Sequence, residues 1–240
     1  MKKSDHFLSL PNSIEAVLLE GRVSSQLIFT IDRKDTTMTY SIHLSRKSEQ
    51  NTSQWSGGST TQLAIYPDGA DYSDRRFAWR ISSAKVEVEE SLFTPLPGFW
   101  RLLMIIEGEL YIEHEGHHSV TLQPFEQDSF SGGWTTRSKG KVRDFNLMLA
   151  EGYSGELKAI HVAPGIHQEL IGVRDNDARH VDEAFYCVDG SLTVLIDEGT
   201  IILQEGDFML ISRMSSAKKI TISNQTQEKA TLIKTSILYG

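Results

Sequence analysis

The sequence predicts an all-β fold of two tandem barrels, on three grounds. From Met38 onward, short runs alternate between apolar and polar residues and are bounded by turn residues, the pattern of half-buried strands. After that point no segment sustains a helical period beyond about two turns. The third ground is an internal repeat. Ile106-Glu-Gly-Glu-Leu-Tyr-Ile112, followed by Leu122-Gln123, resembles Val188-Asp-Gly-Ser-Leu-Thr-Val194, followed by Leu203-Gln204. Gly108 and Gly190 are 82 positions apart, and Leu122 and Leu203 are 81 apart, a period that marks a duplicated domain rather than a solenoid.

The elements follow in order. Ile14 to Leu19 suits one short helix and Gln26 to Ile31 one strand, before a polar break at Arg33 to Thr37. Residues 1–37 read either as a packed extension or as an appendage to a domain that begins at Met38. Thr39 to Leu44 alternates, and so does Gln62 to Tyr66, which ends at the turn Pro67-Asp68-Gly69. Phe77 to Val88 is a long strand with Phe77, Trp79 and Ile81 on one face and Arg80, Ser82 and Ala84 on the other. Leu102 to Ile106 is a buried strand. Leu110 to Glu113 is answered by Val120 to Leu122 across a His-rich turn, and Asp144 to Leu149 closes the first half. Each copy of the repeat then reads strand, acidic-glycine turn, strand, turn, strand, ending in Asp128-Ser-Phe or Asp207-Phe. That is the hairpin heart of a double-stranded β-helix. The expected architecture is a bicupin of two RmlC-like jelly rolls: an extension at 1–37, a first barrel at 38–150 and a second at 151–240.

Composition narrows the function. The 240 residues carry 24 Lys and Arg against 32 Asp and Glu, a net charge of −8 with no basic patch, so nucleic acid is not an expected partner. Apolar runs reach only five residues, as in Leu102 to Ile106, far below the ~20 of a membrane-spanning helix. Asp5, His6, Pro11 and Asn12 interrupt any secretory core behind Met-Lys-Lys. The single cysteine, Cys187, forms no internal disulfide, and a cytoplasmic location is expected.

Little in the sequence suggests metal or nucleophilic chemistry. Metal-binding cupins carry a His-x-His, a Glu seven residues before the turn glycine, and a later His. Arg101 stands seven before Gly108. Glu183 stands seven before Gly190 with His180 nearby, but the other ligands are missing. His114, His117 and His118 surround Gly116 and read as a solvated polar turn or a weak metal-binding cluster. No metal and no cofactor are expected. Cys187, among Phe185, Tyr186 and Val188, reads as a buried inert thiol, and no Gly-x-Ser-x-Gly elbow or phosphate-cradling loop is present. Gly57-Gly58 and Gly132-Gly133 read as turn glycines. No catalytic residue is assigned. Arg80, Arg101, Asp144 and Asn146, however, are polar residues on strands otherwise meant for burial, where a charge is costly unless paired or used by a ligand. One reading is a structural pair of Arg80 or Arg101 with Asp144. The other is a pocket for a small anion, since a guanidinium fork matches a carboxylate.

Several ordered stretches give the chain a resemblance to the HutD/Ves family of two-barrel cupin proteins. They are Trp55-Ser-Gly-Gly-Ser-Thr60-Thr-Gln-Leu-Ala-Ile-Tyr-Pro67, Phe77-Ala-Trp-Arg-Ile-Ser-Ser-Ala84, Ser91-Leu-Phe93, Pro97-Gly-Phe-Trp-Arg101, Ile106-Glu-Gly108, Leu122-Gln-Pro-Phe125 and Asp144-Phe-Asn146. The likeness covers 38–150 well and the second barrel loosely. Two positions depart from the family pattern: Trp55 stands where an Asn is common, and Gln62 replaces a Glu. The resemblance implies a protein encoded with histidine-degradation enzymes that senses an intermediate such as urocanate or N-formylglutamate and limits flux, without catalysis.

The leading expectation is therefore a non-enzymatic module binding a small carboxylated metabolite. Thr60, Gln62, Trp79, Arg80, Ser82, Arg101, Asp144 and Asn146 are its candidate ligand-binding residues. Arg101 and Arg80 would grip the anion, Asn146 would supply an amide, Thr60 and Ser82 hydroxyls, and Trp79 an apolar wall. A metal-free lyase or isomerase using Asp144 as general base is the alternative. A metal enzyme on Glu183 and His180, or a purely structural role, completes the set. No membrane or nucleic-acid partner is expected, while a homodimer is compatible with the sequence.

Overall fold

The computed structural model describes residues 14–20, 25–33, 36–172, 180–197, 199–214 and 216–240, those before residue 40 by backbone alone. Three strands come first: β1 (Ile14–Glu20), β2 (Ser25–Arg33) and β3 (Thr36–Ser45). The middle of the chain supplies β4 (Asn51–Trp55), β5 (Gly58–Tyr66), β6 (Trp79–Val86), β7 (Glu90–Leu92), β8 (Phe99–Glu107), β9 (Leu110–His114), β10 (His118–Leu122), β11 (Gln127–Ser131), β12 (Thr136–Lys139) and β13 (Arg143–Ala150). The last part supplies β14 (Ser154–Val162), β15 (Gly165–Ile171), β16 (His180–Asp189), β17 (Ser191–Ile196), β18 (Gly199–Gln204), β19 (Phe208–Met214), β20 (Lys218–Asn224) and β21 (Ala230–Tyr239). Among the described residues the only helical segments are two three-residue turns, Lys47–Glu49 and Tyr72–Asp74. No helix among them is long and apolar enough to cross a membrane.

Two compact units result, one of residues 50–157 and one of residues 1–49 with 158–240. In the first, a six-stranded sheet ordered β11-β8-β13-β6-β5-β4 is accompanied by a four-stranded sheet ordered β10-β9-β12-β7. Leu103, Ile105, Leu110, Ile112, Leu122, Phe130 and Val142 form its apolar filling, drawn from alternate positions along their strands. The second unit has a seven-stranded sheet ordered β1-β2-β3-β19-β16-β21-β14 and a four-stranded sheet ordered β15-β20-β17-β18. Ile42, Phe185, Leu192, Val194, Ile211, Ile222 and Leu232 belong to its core.

The all-β reading and the repeat hold. Gly108 and Gly190 both take left-handed φ, +84° and +78°, at the strand-to-strand turn. A Cβ at the first would stand 2.5 Å from the Lys141 carbonyl oxygen, and one at the second 2.7 Å from the Ala230 side chain, so only glycine fits. The next turn also repeats. Gln123 N–H donates to Glu126 Oε2 (2.8 Å) in one unit and Gln204 N–H to Asp207 Oδ2 (3.0 Å) in the other. The counterpart of Asp207 is thus Glu126, not Asp128 as the repeat in sequence suggests.

Two other expectations change. Ile14–Glu20 is a strand, not a helix, because it pairs antiparallel with Ser25–Arg33 from Ile14↔Ile31 to Glu20↔Ser25. The expected domain boundary at 37/38 falls inside β3, which pairs with β19 from Phe208↔Ser45 to Ser212↔Ser41. Residues 38–49 therefore belong with the later barrel, and the division lies near 50 and 157 rather than 38 and 150.

Candidate functional site

The unit of residues 50–157 holds a cavity of about 670 Å³, large enough for a small metabolite. Strand pleat decides which side chains reach it. On β6, Arg80, Ser82, Ala84 and Val86 face in; on β13, Asp144, Asn146 and Met148 do. The register pairs Met148 with Arg80 on one side and with Arg101 of β8 on the other. Two guanidinium groups thus flank one methionine on three neighbouring strands. Thr60, Trp55 and Gly57 extend the lining from β5, β4 and the turn between them, and Phe93 faces them from the segment after β7.

Arg80, Arg101, Asp144 and Asn146 are all buried, at 6%, 7%, 5% and 6% exposure. Neither arginine forms an ion pair among the described residues. Arg80 Nε donates to Gln62 Oε1 (2.9 Å) and Nη1 to Ser82 Oγ (3.1 Å), while its guanidinium lies 4.4 Å above the Tyr72 ring. Arg101 Nε donates to Asn146 Oδ1 (3.4 Å), and its guanidinium carbon stands 4.9 Å from the Phe93 ring and 5.2 Å from that of Phe130. Amides, a hydroxyl and aromatic faces orient both cations without neutralising them. A guanidinium has five N–H donors, so most remain for something else. Burial lowers both arginines, Arg101 to about 10.

Asp144 is the complement. Burial pushes its carboxyl up to about 7, against the pull of the Arg101 charge and the Ala84 amide. Its Oδ1 is buried with no hydrogen-bond partner among the described residues. The structural Arg–Asp pair is thus replaced by a long-range interaction, with both arginines bonded elsewhere.

Six of the eight expected residues, Thr60, Arg80, Ser82, Arg101, Asp144 and Asn146, line this one cavity. Gln62 stands behind, holding Arg80. Trp79 is a correction: its position next to Arg80 on the pleat sends it to the opposite face, where it is buried and stacked on Tyr66 at 5.8 Å between ring centroids. It is no wall of the cavity. Trp55, Tyr72, Phe93 and Met148 were not expected. Met148 follows from the parity of Asp144 and Asn146, and Trp55 and Phe93 sit in motifs already singled out. Tyr72 lies in a three-residue turn with no local signal. Trp55 is half-exposed, and its indole Nε1–H donates to Thr60 Oγ1 (3.2 Å).

The remaining candidates fall elsewhere. Glu183 is buried and accepts from Gly172 N–H (2.9 Å) and Ser236 Oγ–H (2.7 Å), with Lys234 Nζ at 3.7 Å. His180 is exposed and packs on Tyr239. The two make no common site. Cys187 is buried, and burial raises its thiol to about 12. The His-rich turn is not uniformly solvated: His114 is buried, its imidazole pushed down by burial against the Asp128 carboxylate.

The chain matches the family model HutD over residues 47–232. Among solved structures it is similar to the conserved protein of unknown function PA5104 from Pseudomonas aeruginosa PAO1, with a TM-score of 0.70 and 20% identity over 82% of this chain and 98% of that one. HutD from Pseudomonas fluorescens SBW25, solved in a formate condition, gives 0.60 and 21% over 81% and 97%. The bacterial pirin YhhW from Escherichia coli, in complex with nickel(II), gives 0.59 and 11% over 81% and 98%. At these identities the likeness is one of fold, the cupin jelly roll.

Proposed function

The chain belongs to the HutD family, and from that premise we propose that it is a non-enzymatic, cytoplasmic sensor whose arginine cavity binds a small carboxylated metabolite, such as urocanate or N-formylglutamate. One observation carries the reading: two buried guanidinium groups face a single cavity, and neither is paired with a carboxylate among the described residues. A desolvated cation without a counter-charge is costly, and a ligand carboxylate supplies that charge with matched, bidentate geometry. Tyr72, Phe93 and Trp55 offer apolar and aromatic surface for the rest of the ligand. Asp144, with a free oxygen, serves a ligand N–H when ionised or a ligand oxygen when protonated.

The test is calorimetric titration of urocanate, N-formylglutamate and glutamate. Binding below millimolar concentration by at least one, lost in Arg101→Ala, is expected. Failure of all carboxylates to bind the wild type, with an early-melting mutant, would make the arginines structural.

A second reading, a metal-free lyase or isomerase, is favoured by one feature. A carboxyl near 7 suits general acid–base work at neutral pH. Conversion of a bound carboxylate by the wild type, abolished in Asp144→Asn with binding retained, distinguishes it from a sensor.

A further inference from the structure

Away from the arginine cavity, three metal-ligating side chains of the same barrel converge. Asp128 Oδ2, on β11, lies 2.9 Å from His114 Nε2 on β9 and 2.9 Å from His118 Nε2 on β10. All three candidate ligand atoms lie within 4.8 Å of one another. None of the three residues lines the cavity described above.

We propose that His114, His118 and Asp128 form a binding site for one divalent transition-metal ion of the zinc type. Two imidazoles and one carboxylate, with a position left for water, are the donor set of an open zinc centre. Zinc bonds of about 2.0–2.2 Å in tetrahedral array separate their ligand atoms by about 3.3 Å, so each 2.9 Å contact need open by only ~0.4 Å.

The surroundings orient the ligands. Thr136 Oγ1 lies 2.8 Å from His114 Nδ1 and 3.4 Å from the Trp134 carbonyl oxygen, which fixes the plane of the imidazole. His114 Nε2 is thereby aimed at the Asp128 carboxylate, and a bound cation would take the place of the proton between them, with Nδ1–H then donating to Thr136 Oγ1. Asp128 is fixed in turn, its Oδ1 accepting from Ser129 N–H (2.8 Å). A ligating histidine whose other nitrogen is hydrogen-bonded, and a carboxylate held at its second oxygen, are the supports metal ligands require. His114 is buried between Phe130, at 4.3 Å between centroids, and Trp134, at 5.7 Å. His118 is 40% exposed and offers the entry path. The ligand pattern of metal-binding cupins does not reveal this site, because its residues sit at other positions.

The probes are zinc and cobalt(II) salts added to tag-free, chelator-stripped protein. Calorimetry should show one zinc per chain with micromolar or tighter affinity. Cobalt should give the visible absorption of a four- or five-coordinate centre. Zinc should also change the fluorescence of Trp134, which stacks on His117 and meets His114 and His118 edge-on. His118→Ala, at the half-exposed position, should keep the apo melting temperature and weaken zinc by at least about ten-fold. Asp128→Asn should do the same, while His167→Ala and His180→Ala should leave affinity unchanged. Uptake weaker than about 100 μM (some 5.5 kcal/mol of binding), or uptake indifferent to His118→Ala, would overturn the proposal.

Discussion

Arg101 Nε points at Asn146 Oδ1, 3.4 Å away on the paired strand, and not at the carboxylate of Asp144. The arginine is positioned by a neutral amide and keeps its charge available to the cavity. Truncating it should therefore cost binding more than folding. In Arg101→Ala, calorimetry should show carboxylate affinity falling by roughly ten- to a hundred-fold, the loss of one charge-assisted contact of about 1.5–3 kcal/mol. The melting temperature at pH 6, where the neighbouring Asp144 is mostly protonated, should stay within about 4 °C of wild type.

Asp144 should make stability depend on pH. Its folded carboxyl titrates at about 7, against an ordinary 3.8, so between these values the folded state holds more protons than the unfolded one. Its contribution is full below about pH 4 and is lost as pH rises through 7. Asp144→Asn removes this dependence. Melting curves should show the variant gaining on wild type from pH 5 to pH 8.

Gln62 is a positioning residue for Arg80. Gln62→Ala leaves the guanidinium on Ser82 and Tyr72 but frees its Nε. Affinity should fall several-fold, less than for Arg80→Ala, and Gln62→Glu should instead capture Arg80 as an internal ion pair and weaken anion binding further.

Trp79 separates packing from binding. Buried on the face away from the cavity, its replacement in Trp79→Phe should lower stability by ~1–3 kcal/mol in denaturant melts and leave ligand affinity within about two-fold.

Cys187 should be silent to thiol reagents in the folded protein at pH 8, where burial and a thiol raised to about 12 leave almost no accessible thiolate. One equivalent should react after denaturation.

Much of the site is legible in the sequence because strands obey parity. Arg80 and Ser82 on one run, and Asp144 and Asn146 on another, share a face by alternation alone. The same rule sets Trp79 opposite Arg80, yet adjacency in sequence drew it into the expected pocket. Gln62 is harder: a register shift between Gln62 and Ala64 breaks the alternation along β5. The histidine cluster was obscured by the repeat itself, which set Asp128 against Asp207. The turn hydrogen bonds instead give that part to Glu126 and release Asp128 to the histidines. The partner of β3 left no local mark, since a pairing across most of the chain is written in no short window.

That pairing has a consequence for biosynthesis. Phe208–Met214 follows Thr36–Ser45 by roughly 160 residues, so at ~5–20 residues per second β3 waits about 10–30 s for β19 to leave the ribosome. Throughout that interval one edge of an early β-hairpin lacks its native neighbour, while the intervening barrel of residues 50–157 is completed within it and free to fold. Nascent chains halted near residue 205, long enough for the barrel to clear the ribosome and too short to expose β19, should thus protect the barrel from proteolysis and leave β3 open to it, with chaperone dependence concentrated in that leading segment.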